Sequence, residues 1–492
     1  MKSFIKVLLA TSGIGLAAAS PAQETKKPPV APASADAHQP DAANASIDHG
    51  VLFQAEAVPS NGSVSVGGQR IDYHTVAGTM VVHPEGWDDA AWREKGAAGE
   101  LGDKKSDAPQ AEASMFYTAY FRNGAPSSSR PITFLFNGGP GSATVWLHMG
   151  AFGPRRVVTA TDTHMPAAPY AVTNNNYSLL DVSDLVFIDA PGTGFSRIAG
   201  KDKEKAFFGV DGDAHAFAEF IKGFLSKYAR WNSPKYIFGE SYGTPRAAVL
   251  VNQLETGNAV DFNGVIMLSQ ILNFDLSADT PQFNPGSDEA YITTLPTYAA
   301  TAWYHNRVGG TRPAELETYL AQAVQFANTD YAAALQMGSE IDPARKAKVA
   351  EQMSQLIGLP AAYILKSDLR ISGGQFSKEL QNQSGITTGR LDTRFSGPDM
   401  DPLSKDADYD PQSASISSAY VSAFNDYART TLHYGQDRVF KPSINTFRTW
   451  DFSHKQPGQP FAIRGATNVM PDLAMAMKYN PNLKILLTGG YY

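Results

Sequence analysis

The chain has 492 residues, 43% of them apolar and 18% charged, with a formal charge of −7 and no cysteine. That is too long for one minimal domain and suits a large α/β domain carrying an insertion. The missing cysteines exclude disulfides and thiolate chemistry, and the absence of a basic cluster argues against nucleic-acid binding, which needs clustered Lys and Arg along the phosphates.

Lys2 and Lys6 precede an apolar run from Val7 to Ala19, followed by small residues with a cleavage position after Ala19 or Ala22. This is the layout of a secretory signal, assigned to 1–22, and the run is too short for stable insertion in a membrane. Residues 23–50 are rich in Pro and Ala, lack periodicity and read as a disordered linker. Export without cysteine points to a bacterial periplasm, or to secretion.

Folded sequence is expected from 51. "SVSVGGQRIDYHTV" alternates around Gly67-Gly68 and predicts a hairpin. "SMFYTAYFR" predicts a further strand, and the polar stretch between them a loop. Then come short apolar runs of the buried parallel kind: "ITFLF", "LVFID", "YIF", "VIML" and, far downstream, "LKILL". In "DGDAHAFAEFIKGFLSKYARW", Phe217, Phe220, Ile221, Phe224, Leu225 and Tyr228 recur at helical spacing, with Asp211 or Asp213 as a candidate cap. Strands alternating with such helices predict a doubly wound, mostly parallel sheet. The region between the fourth and fifth runs carries mainly helical patterns, so a helical cap is expected at 275–465, between core segments 51–274 and 466–492.

Gly239-Glu240-Ser241-Tyr242-Gly243 matches G-x-S-x-G. An apolar strand precedes it, and Thr244-Pro245 can open a helix, so Ser241 is expected on a tight strand-to-helix turn as a nucleophile. An ordinary turn serine is the bland alternative. A hydroxyl needs a base and donors for the oxyanion. "FLFNGGPGS" supplies donors: the Gly138 and Tyr242 N–H groups could form an oxyanion hole. A phosphate loop, without Gly-Lys-Ser/Thr, and a plain glycine turn are its rivals. The ten histidines are scattered with no HExxH pair, so neither a metal nor a cofactor is expected.

"FLFNGGPGS", "DLVFIDAPGTGFS" and "YIFGESYGTPRA", in this order, resemble the serine carboxypeptidase family of the α/β-hydrolases, and "LPTYAATAWYH" resembles the insertion of its bacterial branch. The similarity runs from about Ala113 to the end. It implies a peptide substrate, with Ser241 as nucleophile, Gly138 and Tyr242 as oxyanion donors, and Asn137 with a protonated Glu240 holding the substrate's terminal carboxylate. Burial beside another acid raises a carboxyl pKa; a Glu240–Arg246 ion pair is the alternative. The chain departs from the family where a second glutamate is usual: Ala151 stands there. That weakens carboxylate specificity and keeps an esterase, amidase or acyltransferase open, as well as an inactive periplasmic binding protein.

The resemblance also implies an Asp and then a His after the serine. The Asp would follow a strand ending like "ILLTGGYY", where this chain stops at Tyr492. His305, His433 and His454 are expected on the surface or in the cap. The triad Asp and His are therefore expected to lie outside this chain, with the last strand and helix missing and an unpaired apolar sheet edge left behind.

Overall fold

The computed structural model describes residues 52–88, 90, 110–446, 448–465 and 467–492. The expected signal, the linker and most of the polar stretch before residue 110 lie outside them.

Eight strands run in order along a twisted central sheet: β1 (Glu56–Val66), β2 (Gln69–Val82), β3 (Glu112–Arg122), β4 (Ile132–Phe136), β5 (Asp184–Ile188), β6 (Lys235–Glu240), β7 (Gly264–Leu268) and β8 (Lys484–Thr488). Their spatial order is β1-β2-β3-β5-β4-β6-β7-β8, and a short strand, Arg197–Ala199, pairs with the start of β3. The β1–β2, β2–β3 and β3–β5 pairs are antiparallel. All pairs from β5 to β8 are parallel. The hairpin joining β1 to β2 turns at Gly67 and Gly68, at φ of 55° and 79°, which side chains with a Cβ rarely adopt.

The β4 and β5 strands are buried along their whole length, as continuous apolar runs require. Alternate residues enter opposite layers. Phe134, Phe136, Val186, Ile188 and Ile237 join one cluster, with Phe217, Phe220 and Phe224 of α1 (Val210–Lys227) and Leu250 of α2 (Gly243–Asn252). Leu135, Leu185, Phe187 and Phe238 face the other way, with Tyr120 and Leu147. Helices on one face and loops and helices on the other make this an α/β-hydrolase sheet.

The intervening region is mainly helical. It includes α3 (Glu289–Tyr304), α4 (Leu316–Phe326), α5 (Pro343–Ile357) and α6 (Pro411–Thr430). Leu295, Tyr298, Phe326, Met353 and Phe376 form a core of their own within it. The α6 helix instead turns Phe424 and Tyr427 onto Phe116 and Phe195 of the main body. After α6 the described residues form no helix or named strand until α7 (Met470–Tyr479), which precedes β8. Among the described residues no helix is long and apolar enough to cross a membrane.

The chain passes from β4 to β5 on one side and then to β6 on the other. The carboxyl ends of β4 and β6 therefore lie side by side at a topological switch point, where open α/β sheets bind ligands. The Phe136–Gly239 pairing puts the "NGGPG" loop directly beside the "GESYG" turn.

Candidate active site

Ser241 lies between the last residue of β6 and the start of α2, at φ 55°. A left-handed conformation at a serine is strained by roughly 1–2 kcal/mol, so the turn is held from both sides. The Ser241 N–H donates to Leu268 O at 3.0 Å, and its carbonyl accepts from the Thr244 N–H and hydroxyl, each at 2.8 Å. Gly239 faces the Gly243 carbonyl too closely for any side chain. A Cβ on Gly243 would lie 2.9 Å from the Phe136 carbonyl, so both glycines of the pentapeptide sit at close approaches.

The partner loop follows β4. Gly138 packs on the Tyr242 amide, with no room for a Cβ. The two amides expected to form an oxyanion hole are therefore neighbours, next to Ser241. The Gly138 N–H is turned toward the Glu240 carboxylate. Gly139 and Gly141, at φ of 107° and 91°, carry the loop through conformations that favour glycine.

Asn137 and Glu240 also come together. The Asn137 side-chain amide donates to Glu240 at 2.8 Å, while its Oδ1 accepts from the Leu147 N–H at 3.0 Å. Burial raises the pKa of Glu240, against the lowering pull of the Asn137 amide and the Gly138 N–H. The alternative partner, Arg246, turns away and bonds Asp213 at 2.6 Å. Ala151 sits in a wide helical turn, His148–Phe152, beside Leu147 and Phe238, and its carbonyl accepts from Asn175 at 2.7 Å. It adds no second acid.

None of the three later histidines reaches the serine. His305 bonds Thr393 O at 2.7 Å in the helical region, and His433 is exposed. His454 corrects the expectation of a surface or cap residue. It is buried, with Nδ1 2.5 Å from Asp211 and Nε2 2.7 Å from Asp472. Burial lowers its pKa, but the two carboxylates outweigh that and lift it to about 9. An imidazolium engaged at both nitrogens has no lone pair for a base. Among the described residues no side chain hydrogen-bonds the Ser241 hydroxyl, and no group of three or more His, Asp or Glu could hold a metal ion.

Three features escaped the sequence pattern. Asp213 does not cap α1, whose cap is Gly209; it is buried against Arg246. Asp189, after β5, accepts from the Thr144 N–H at 2.8 Å, and burial pushes its carboxyl up to about 7 against the N–H groups of Thr144 and Phe195. The stretches 441–446 and 448–451, expected to close the insertion, run instead along the loops of the core. Ile444 N–H bonds Gly141 O at 2.8 Å, the Thr446 hydroxyl bonds Pro140 O at 2.9 Å, and Trp450 Nε1 bonds the Tyr242 hydroxyl at 3.1 Å. A signal for the first was present, since Arg246 is the sole charge in "RAAVLV".

A family described as serine carboxypeptidase matches residues 106–355, which include both loops of the site. The chain belongs to the serine carboxypeptidase family. Serine carboxypeptidase-like 36 of Arabidopsis thaliana is 26% identical over 163 residues, 31% of either chain, so the match spans about a third of that relative. Among solved structures, the chain is similar to the prohormone-processing carboxypeptidase Kex1 of Saccharomyces cerevisiae, with 17% identity, 85% of this chain and 73% of that one covered, and a TM-score of 0.42. It is also similar to a hydrolase of Legionella pneumophila, at 13% identity, 64% and 70% coverage and a TM-score of 0.26.

Proposed function

We propose that this family member has the site of an exported serine-type carboxypeptidase acting on peptides. Ser241 Oγ attacks the last peptide carbonyl, the C–N bond breaks, the C-terminal amino acid leaves with the serine's proton, and water then hydrolyses the ester. The reading rests on one observation: a strained serine stands beside the Tyr242 amide with Gly138 packed against it. Asn137 and a protonated Glu240 hold the terminal carboxylate; as Glu240 turns to it, the Gly138 N–H is freed for the oxyanion. This chemistry needs neither metal nor cofactor.

Activation requires a base, and His305, His433 and His454 are engaged or placed elsewhere and do not supply it. Ala151 supports a second reading, an esterase, amidase or acyltransferase with a one-acid clamp. Binding of a blocked dipeptide and of its C-terminal amide separates the two. A preference for the free acid of tenfold or more at pH 5 supports the carboxypeptidase, and equal binding supports the alternative. A chain whose Ser241 takes no fluorophosphonate label, while an extended chain does, fits the missing triad; no label in either would leave only a binding protein.

A further inference from the structure

Arg246 is 1% exposed, and all its polar contacts are internal. Its Nε and Nη2 donate to the Asp213 carboxylate at 2.6 and 3.3 Å. Its Nη1 donates to the carbonyl of Asn137 at 2.7 Å. The guanidinium plane is hemmed in by Phe217, Phe136 and Tyr242, at 4.5, 5.3 and 5.5 Å from their ring centres. A planar, forked cation can bond a carboxylate and a carbonyl together, while a lysine ammonium cannot copy that geometry.

The carbonyl it grips belongs to the peptide unit whose N–H is that of Gly138. A peptide unit is planar, so fixing its oxygen fixes the direction of its hydrogen. We infer that Arg246, anchored by Asp213, is a positioning residue that aims the Gly138 N–H and the Asn137 side chain into the Ser241 site. This rests on the hydrolase reading given above. Arg246 lies five residues after Ser241 on α2, so the helix that carries the serine also sets the opposing loop. It touches no reacting atom; its hydrogen bond to the site is the one to the Asn137 carbonyl.

The double variant Asp213→Leu/Arg246→Met separates positioning from stability. Replacing a buried ion pair by apolar side chains of similar volume commonly leaves stability unchanged or improved. The variant should melt within about 5 °C of the parent. Hydrogen exchange in the fragment covering 137–147 should quicken at least tenfold while α1 and α2 keep their protection. Fluorophosphonate labelling of Ser241, followed by intact mass, should slow at least tenfold. Arg246→Lys, which keeps a cation beside Asp213, should show the same pair of changes if the double variant does not fold.

Unchanged exchange in that fragment in a folded variant overturns the inference. Faster exchange with a parental labelling rate overturns it too, since the peptide's orientation then does not matter to the serine. If exchange quickens but neither the parent nor an extended chain takes label, the positioning of the loop stands and the hydrolase reading falls.

Discussion

Gly138→Ala tests the site at its tightest point. A Cβ there would lie 2.6 Å from Gly243 N and 2.7 Å from Tyr242 Cα, and closer still to Tyr242 N. Ordinary contacts between such atoms are about 3.5 Å, so the loop and the turn must part by about 1 Å. Neither side yields easily. The turn is tied to β7 through Leu268 and closed on itself through Thr244. The loop is held by Arg246 behind and by Ile444 and Thr446 above. Overpacking of this kind destabilises by about 1–3 kcal/mol. Moving one oxyanion donor out of reach costs about 10²–10³ in rate. We expect labelling of Ser241 by a fluorophosphonate to slow at least 100-fold, with a drop of a few degrees in the melting temperature. Gly124→Ala is the control. Its φ is 74° in open space, so it carries backbone strain of similar size but leaves labelling untouched. A Gly138→Ala chain that folds and labels within twofold of the parent would refute the placement of the amides.

The preference for a peptide's free carboxylate over its amide should be greatest at low pH and vanish as the pH rises through the raised pKa of Glu240, because only the protonated acid can donate to a carboxylate; Glu240→Gln should flatten that profile, and a profile unchanged in the variant would dismiss the role. The folded-state pKa of His454, about 9, lies above its ordinary 6.5, so its contribution is fully present below about pH 6.5 and lost as the pH rises through 9. The shift corresponds to about 3 kcal/mol, and urea melts of the parent and His454→Leu at pH 6 and 10 should show the two chains converging at the higher pH. Leu486 and Leu487, 57% and 56% exposed on a strand paired on one side only, should drive self-association; Leu486→Glu with Leu487→Lys should reduce it in light scattering, and no change would clear this edge.

The strands were readable because burial on both faces leaves an unbroken apolar run, and "ITFLF" and "VIML" end where β4 and β7 end. The pair formed by Asn137 and Glu240 was readable only through the resemblance, since their contact joins positions 103 residues apart. His454 misled for a related reason. Its neighbours "DFSHKQPGQP" look like a solvated loop, and what buries it is Asp211, 243 residues earlier, together with Asp472. Charged side chains are read as exposed from composition. Arg246, Asp213 and His454 are buried because partners distant in sequence satisfy them, and no local pattern reports such partners.

The strain at Ser241 bears on whether it is an ordinary turn serine. A left-handed non-glycine residue persists when its surroundings over-determine it. Here they do so redundantly. The turn is bonded to β7, to its own helix and, through the Tyr242 hydroxyl, to Trp450 of the stretch that also fastens the glycine loop. The same helix reaches back through Arg246 to fix the loop's first carbonyl. An ordinary turn at this position would be relieved by glycine, which adopts such a φ without strain. A serine kept there, with bonds from three separate segments of chain, favours the nucleophile of the proposed function over an ordinary turn serine.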